Sequence, residues 1–434
     1  MIKRKDIDVY FINSGFRYDR KGLRIEQTTN SFGDAVKSYE IINSPVLAPV
    51  QESCRNLLLY LSDTKVSELF EKFLTENGPF DVVHFNNLEG LTIKVIELRQ
   101  KFKYTKFIYS VHNYFPVCSR VNLWKNENGE NARNCDRDKN DYADCVTCYQ
   151  KFKYSSQIMR REAESTGRVC KKMMRMVAKV SEKICPDFED EEVYRKFEEN
   201  TIRSINENMD TILAVSHRVK KIVETHGLDK SKTRVSYIGT KVADYKTDKC
   251  AYSPYSETLN VIYMGYMNKQ KGFFFFLKSL EHMPDELAKK LSVRVVARYN
   301  TQRNQREIER LNNLKGKFNK IELVNGYTPQ NQKDLLQEIN LGVVPVLWED
   351  NLPQVALEQI AYGIPILVSD LGGAKEIVND ENFIFKAGSI KDFLDKLSDI
   401  QENRELLFDF WKVNRHLVTM PEHIDELIKV YSGK

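Results

Sequence analysis

The chain has 434 residues, of which 41% are hydrophobic and 29% charged, a balance typical of a globular protein with a sizeable core and not of a disordered chain. The net charge is only +5, from 66 Lys and Arg against 61 Asp and Glu, so nucleic-acid binding is not indicated. No apolar run approaches the roughly 20 residues that span a bilayer. Asp6 and Asp8 interrupt the N-terminus where a signal peptide would have its apolar core. We therefore expect a cytoplasmic protein, either free or peripheral on the inner face of the membrane.

Strand-like and helical patterns alternate along both halves of the sequence. Residues 52–76 have helical spacing, and apolar runs in the first half predict strands at 8–13, 81–85, 106–111 and 212–216. Similar runs in the second half predict strands at 259–264, 293–297, 321–324, 341–346 and 364–369. This alternation predicts an α/β protein with two doubly wound, Rossmann-like domains. Since ligands of such sheets bind at the carboxyl ends of the strands, two facing domains predict a cleft between them.

The most informative stretch is 344–363, in which a strand leads through a polar turn into a helix. Pro353 suits the first turn of that helix, and Gly363 suits its end. Asp350 lies in the turn and Glu358 inside the helix. Carboxylates there can accept hydrogen bonds from sugar hydroxyls, and the amides of a helix start can hold phosphate. An amphipathic helix with a capping residue and one exposed Glu would have the same spacing.

Two weaker patterns flank this stretch. The strand that ends at Gly265 leads into a loop with Lys271, whose charge could neutralise a departing diphosphate. A later strand runs into Gly372 and Gly373, which would let a backbone approach a ligand closely. Taken singly, the first pattern also fits a solvated loop lysine, and the second fits an ordinary turn.

Together and in this order, the three patterns resemble the second half of the retaining, nucleotide-sugar-dependent glycosyltransferases of family 4, which have the GT-B fold. The matching residues are Gly265…Lys271-Gly272, Asp350-x7-Glu358 and Ser369-Asp370-x-Gly372-Gly373-x-x-Glu376. Residues 83–90 and 110–114 are similar to the acceptor domain of that family. The resemblance is firm over 81–116 and 205–431.

The resemblance implies a role for several of these positions. It places Glu358 on the donor ribose, Asp350 and His112 near the transferred sugar, and Lys271 at the diphosphate. The catalytic candidates are therefore Lys271, Asp350 and His112. The candidates for donor binding are Gly265, Lys271, Arg298, Asn351, Leu352, Pro353, Gln354, Val355 and Glu358. The reaction would retain the anomeric configuration through an oxocarbenium-like transition state, and no cofactor or metal would be required for it.

The strand pattern and the polar stretch at 244–258 also predict the division of the chain into domains, and the resemblance adds the crossing of the last helix. Residues 1–245 would form an acceptor-side domain with a helical, cysteine-containing insertion at about 118–200. Residues 259–419 would form the donor domain, joined through a polar linker at 244–258. Residues 420–434 would form a helix that crosses back to the first domain.

Three features depart from the family pattern. Tyr266 stands where the family usually has an arginine, so Arg298, at the end of another strand, is the candidate for a second cation. Asp350 replaces the commoner glutamate, which shortens the reach of the carboxylate by one methylene. By the same resemblance the chain opens at the second strand of the family, so we expect the first βα unit to be absent.

Half of the eight cysteines are close together in the sequence: Cys118, Cys135, Cys145 and Cys148. Four thiols with one Cys-x-x-Cys pair fit a structural zinc site, and reduced loop thiols fit equally well. Disulfides are a further alternative, which a reducing compartment disfavours.

A basic stretch at 151–184 carries methionines among its lysines and arginines, and an acidic stretch follows at 187–199. One interpretation is a helix that lies on anionic lipid and brings an enzyme to a membrane-bound acceptor. The other is a solvated helix that pairs with the acidic stretch.

These expectations describe a glycosyltransferase that moves a hexose-type sugar from a nucleotide-diphosphate sugar to a glycan or lipid-linked acceptor, in surface polysaccharide assembly. A catalytically silent GT-B protein that binds a nucleotide or a partner enzyme is the main alternative. A GT-B enzyme of different chemistry, such as an epimerase or a phosphorylase, is another.

Overall fold

The computed structural model describes residues 7–49, 54–125, 133–135, 141–148, 154–184, 190–240, 257–413 and 417–433. Within these ranges each half of the chain builds its own parallel sheet, as we predicted. Almost all of the linker predicted at 244–258 lies outside the described residues, as does the last residue of the predicted crossing helix.

The described first half contains nine strands: β1 (Tyr10–Ser14), β2 (Arg24–Thr28), β3 (Lys37–Ile42), β4 (Val82–Phe85), β5 (Lys106–Val111), β6 (Trp124–Lys125), β7 (Arg133–Asn134), β8 (Thr211–Ala214) and β9 (Thr233–Val235). Four of them form an all-parallel sheet in the order β4-β5-β8-β9. β1 pairs in parallel with β3, which pairs antiparallel with β2. The two sheets meet where Ser14 Oγ, at the end of β1, donates to the carbonyl of Gly90, in the loop after β4.

The hairpin of β2 and β3 was not predicted. Charged residues interrupt its apolar pattern, and they pair with one another on the folded hairpin: Arg24 bonds to Glu26, and Arg17 lies 3.3 Å from Glu40. The absence of a first βα unit stays a prediction. In the described residues, β1 is followed by a strand and not by a helix.

Helices cover this half of the molecule. They are α1 (Cys54–Ser62), α2 (Lys65–Asn77), α3 (Lys94–Glu97), α4 (Ala143–Thr147), α5 (Tyr154–Glu162), α6 (Arg168–Ile184), α7 (Glu191–Asn208) and α8 (His217–Thr225). The single helix predicted over 52–76 is divided in two, because Asp63 accepts a hydrogen bond from the N–H of Val66 and begins a new helix.

The segment that we predicted as an insertion is partly built into the core. Its β6 and β7 form a short antiparallel pair, although the sequence predicted no strand there. Its last helix, α7, continues to Asn208 and buries Phe197, whose ring lies 5.3 Å from Tyr60 and 5.1 Å from Phe115. α7 therefore packs as a core helix of the first half.

The described second half contains six strands: β10 (Leu259–Tyr266), β11 (Leu291–Arg298), β12 (Lys320–Asn325), β13 (Leu341–Val344), β14 (Ile366–Ser369) and β15 (Ile384–Phe385). They form one parallel sheet in the order β12-β11-β10-β13-β14-β15. The direction of winding reverses between β10 and β13, and the carboxyl ends of strands at such a point are where doubly wound sheets bind ligands.

The helices of this half are α9 (Phe273–His282), α10 (Asp285–Ala288), α11 (Gln305–Asn313), α12 (Gln332–Leu336), α13 (Gln354–Ala361), α14 (Ala374–Val378), α15 (Ile390–Glu402), α16 (Glu405–Asp409) and α17 (Met420–Ser432). The last of them contacts the first half. The Tyr431 hydroxyl lies 2.7 Å from His84 Nδ1, and the Tyr431 carbonyl accepts a hydrogen bond from Lys106 Nζ at 2.8 Å.

Candidate active site

The loop between β13 and α13 lies against the loop that follows β10. Lys271 Nζ and Asp350 Oδ2 are 2.6 Å apart, and Lys271 Nζ lies 5.2 Å from the centre of the Trp348 ring. This approach requires Gly272, because its φ is +74° and an added Cβ would lie 1.6 Å from the carbonyl oxygen of Pro345. Two residues predicted from separate patterns, Lys271 and Asp350, are thus brought together at the carboxyl edge of the sheet.

Gly372 and Gly373 pack against the same loop. An added Cβ would lie 2.3 Å from the carbonyl oxygen of Asp350 at the first glycine, and 2.3 Å from that of Asn351 at the second. The N–H of Gly373 donates to the Asp350 carbonyl at 2.8 Å. The glycines therefore let two protein loops approach each other closely. That they also let the backbone approach a ligand stays a prediction.

Glu358 lies half-buried on α13. Tyr327 Oη and Gln332 Nε2 both donate to its Oε2, at 2.9 and 2.7 Å. Burial raises the pKa of the Glu358 carboxyl, and the two hydrogen bonds partly oppose that rise. A carboxylate that accepts hydrogen bonds from a hydroxyl and an amide can also accept hydrogen bonds from the hydroxyls of a ribose.

The start of α13 supplies backbone donors beside Asp350. The helix begins at Gln354, and the first N–H groups of an α-helix have no acceptor within the helix. The amides of Gln354 and Val355 are therefore the donors that could meet a phosphate. Leu352 and Pro353 precede them in buried positions.

His112 approaches this loop from the first half. Its carbonyl accepts a hydrogen bond from Asn351 Nδ2, and its Nε2 lies 3.3 Å from Asn86 Oδ1. The ring is exposed to the cleft, but the protein around it lowers the pKa of the imidazole, and His423 lowers it further. The lowered pKa favours the neutral form of the His112 ring.

The sequence from 245 to 415 matches the family model of the glycosyl transferases group 1. We name the matched residues 245–415 the group 1 domain. Lys271, Asp350 and Glu358 lie in this domain, and His112 faces it from the other half. No curated protein matches the chain.

Solved structures share the architecture at low sequence identity. The Anabaena HepE protein in complex with UDP aligns with 85% of this chain and 82% of its own, at a TM-score of 0.54 and 13% identity. Sucrose-phosphate synthase from Thermosynechococcus elongatus aligns with 98% of this chain and 88% of its own, at a TM-score of 0.55 and 14% identity. A third similar structure is an α,α-trehalose-phosphate synthase (UDP-forming) from Burkholderia xenovorans in complex with glucose-6-phosphate. It aligns with 99% of this chain and 93% of its own, at a TM-score of 0.53 and 12% identity. The predicted GT-B fold is therefore confirmed.

An ion pair that the sequence did not predict joins the group 1 domain to the first half. Glu349 is buried next to Asp350, and its Oε2 accepts a hydrogen bond from Arg218 Nε at 2.7 Å. Asn134, in β7, accepts from the Glu349 N–H at 3.3 Å. The sequence does show two adjacent acidic residues, Glu349 and Asp350, after a predicted strand. Their presence does not indicate which residue of the other sheet would pair with them.

Glu376 ends the third pattern of the group 1 domain, and it too bonds to the first half. It accepts hydrogen bonds from the N–H groups of His217 and Arg218 at the start of α8, both at 2.9 Å. Tyr237 Oη donates to it at 2.9 Å, and Ser216 Oγ, at the N-cap of α8, donates to the Asn351 carbonyl at 2.9 Å. A negative charge is stabilising at a helix N-terminus, so Glu376 helps to hold the two halves together.

Tyr266, which stands where the similar family usually has an arginine, lies beside Arg298. These two residues pair across β10 and β11, and both are exposed, Tyr266 at 61%. Gly265 precedes Tyr266, and a Cβ added to Gly265 would lie 3.0 Å from the Tyr263 hydroxyl. That hydroxyl donates a hydrogen bond to the Tyr266 carbonyl at 2.9 Å. Arg298 thus lies at the same sheet edge as the Lys271 loop. Its role as a second cation stays a prediction.

One cavity of about 30 Å³ in the first half is lined by Cys118, Cys135, Cys145 and Cys148, which are thiols. Burial raises the pKa of Cys118 to about 11, and the neighbouring thiols add to the rise. In the part of the chain that the structure describes, no group of three or more His, Cys, Asp or Glu side chains is arranged to hold a metal ion. The predicted zinc site therefore has no support in this geometry.

Proposed function

We propose that the chain is a retaining glycosyltransferase that moves a hexose-type sugar from a nucleotide-diphosphate sugar to a glycan or lipid-linked acceptor, in surface polysaccharide assembly. The observation that carries this proposal is the Lys271–Asp350 pair, which lies beside the start of α13 at the carboxyl ends of β10 and β13. Residues 259–419 would bind the donor. Residues 1–245, completed by 420–434, would bind the acceptor.

Each group around the pair has a role in this proposal. Without a donor, Asp350 balances the charge of Lys271. With a donor bound, the ammonium would turn to the diphosphate and the Asp350 carboxylate to a hydroxyl of the sugar. Glu358 would hold the ribose, because its two donors, Tyr327 and Gln332, keep its carboxylate in place.

Catalysis would then rest on positioning and on stabilisation of the departing diphosphate. The charge that develops there as the glycosidic bond breaks would be met by Lys271 and by the amides of Gln354 and Val355. The neutral imidazole of His112, across the cleft, would face the sugar. The Gly272, Gly372 and Gly373 contacts fix the backbone of these loops, so only the Lys271 and Asp350 side chains would need to turn.

The proposal can be tested by thermal shift with UDP, GDP, ADP, CDP and their common sugar conjugates. A ligand that binds only the native state raises the melting temperature with the logarithm of its saturation. UDP is the first to test, since the similar Anabaena protein was solved with it. We expect one nucleotide to stabilise the wild type and Glu358→Ala to lose the effect. Glu402→Ala, an exposed carboxylate on α15, is the matched control and should respond like the wild type.

A catalytically silent nucleotide-binding protein is the second candidate, and Tyr266 favours it because the family's arginine is replaced. Hydrolysis or transfer of the donor by the wild type, lost in Lys271→Ala, would exclude it. A nucleotide shift without any turnover would support it. The absence of any shift would contradict both candidates.

A further inference from the structure

The helix α6 turns an apolar face to solvent. Its exposed apolar residues, named here the α6 stripe, follow helical spacing. They are Val169 (85% exposed), Met173 (59%), Met176 (62%), Val177 (47%) and Val180 (50%). At 100° per residue they cover an arc of about 100°, which is the width of the face that a surface helix normally buries. Ala178 is buried on another side, so α6 is packed there while its most apolar face is not.

Cations lie along one side of the stripe. Arg168, Lys172 and Lys179 are exposed there. Lys171 and Arg175, on the same side, pair with Glu164 in the turn before the helix. The helix therefore has two zones, one apolar and one basic, which run side by side along its length.

The acidic stretch that follows does not neutralise this basic zone in the described residues. In α7, Arg195 pairs with both Glu192 and Glu199, and Glu198 lies 2.8 Å from His226. The acidic side chains named here thus bond within α7 or to His226. Two of the α6 cations, Lys171 and Arg175, have Glu164 as their acidic partner.

The helix before α6 is fixed to loops of the first half. The preceding helix α5, which packs against α6, is tied down by Arg161, whose guanidinium donates to the carbonyls of Gly15 and Ala48. Tyr154 Oη donates to the Pro45 carbonyl at 2.6 Å. Gly15 directly follows β1 and packs against Gly90, in the loop after β4 of the parallel sheet. Arg161 therefore holds α5 near the carboxyl end of a parallel strand, where a doubly wound sheet binds its ligands.

We propose that the α6 stripe and its flanking cations are a docking surface for a bilayer with anionic phospholipid headgroups. The methionines and valines would enter the boundary between headgroups and acyl chains, and Arg168, Lys172 and Lys179 would meet lipid phosphates. The helix would lie on the bilayer, since no described helix combines the length and apolar character needed to cross one. Only the purpose of this contact, access to a lipid-linked acceptor, rests on the proposed function.

Vesicle co-sedimentation of the full chain tests the proposal. The probes are vesicles of phosphatidylcholine alone and vesicles in which phosphatidylglycerol is about a third of the lipid. We expect at least about tenfold tighter binding to the anionic vesicles, weakened by salt. The double variant Lys172→Glu/Lys179→Glu should abolish this preference. Met176→Gln/Val180→Gln should weaken binding to the anionic vesicles by about tenfold.

The matched control is Lys289→Glu/Lys290→Glu, which reverses two exposed charges in the second half and should bind like the wild type. All the altered side chains are exposed, so the melting temperature and the nucleotide-induced shift should not change. Equal binding to both kinds of vesicle, or unchanged binding of the stripe variants, would overturn the proposal. So would a wild-type dimer, seen by light scattering, that the stripe variants dissociate, because a second copy would then cover the stripe. Vesicle binding that persists in a protein without any nucleotide response would leave this proposal standing and count against the proposed function alone.

Discussion

The two halves of the cleft assemble their contacts in different ways. In the second half, Lys271 and Asp350 are 79 positions apart in the sequence, yet both follow strands of one parallel sheet and meet at its edge. In the first half, the residues that reach the same loop come from unrelated elements. Asn134 lies in the short strand β7, Arg218 in the first turn of α8, and His112 just after β5.

The difference shows which contacts a local pattern can reveal. Carboxyl ends of parallel strands meet at one edge by the geometry of the fold, so motifs at those ends can be combined from sequence alone. Contacts between two sheets depend on how two packed bodies meet, and no periodicity within either half records that. Glu349 and Glu376, the two carboxylates that join the halves, were not assigned a partner for this reason.

The largest expected effect tests whether α7 belongs to the core of the first half. Phe197→Ala should lower the free energy of unfolding by about 3–5 kcal/mol, because the ring is fully buried between other aromatics. Urea unfolding followed by circular dichroism measures it. Met176→Ala, on the exposed stripe of α6, is the control and should change stability by less than about 0.5 kcal/mol. Equal effects of the two would contradict the distinction between these helices.

The next largest effect tests whether the meeting of Lys271 and Asp350 in the second half matters for catalysis. Lys271→Ala should lower kcat of sugar transfer by about 10²–10³-fold, since it removes a cation aimed at the departing diphosphate. Lys269→Ala, two residues away in the same loop, should stay within about twofold of the wild type. Steady-state kinetics with the donor identified by thermal shift provides the measurement. A comparable loss in both variants would show that the loop needs charge in general and not the Lys271–Asp350 geometry.

A pH effect tests the contact of α17 with the first half. Burial is the main cause that lowers the pKa of His84 from 6.5 to about 4 in the folded chain. The native state therefore resists protonation, so stability is full above pH 6.5 and is lost as the pH falls through 6.5 towards 4, by up to about 3 kcal/mol. Unfolding in urea at several pH values measures this loss. His84→Gln should remove most of it and His282→Gln, on the exposed side of α9, should not; the same slope in all three proteins would refute the assignment.

The smallest effect concerns the connection between the halves. Glu376→Gln removes the charge that caps α8 and should lower the free energy of unfolding by about 1–2 kcal/mol. The same variant should increase the radius of gyration in small-angle scattering if the halves separate. Glu381→Gln, an exposed carboxylate close by in the sequence, is the control. An unchanged radius together with unchanged stability would mean that Arg218 and Glu349 hold the halves without Glu376.

Much of the second half could be predicted because its strands are buried on both faces and appear as continuous apolar runs. All five strands predicted there formed, and the short β15 was missed because it has only two residues, Ile384–Phe385. The β2–β3 hairpin was missed because its charged residues pair only after folding. The Gly372–Gly373 pair was found, but only the folded chain shows that the loop at Asp350 and Asn351 packs against it.

The sequence by itself determined the α/β class and the two Rossmann-like sheets, because strand periodicity is a local signal. Only the resemblance to a known family implied one site for Lys271 and Asp350. The tertiary structure decided three further things. It showed that Phe197 is core while Met176 is exposed, although both lie on amphipathic helices of similar length. It showed that the four cysteines share a cavity without a metal-binding arrangement among the described residues. It also paired Glu349 and Glu376 with α8, since burial and partners across two sheets depend on packing that no single segment encodes.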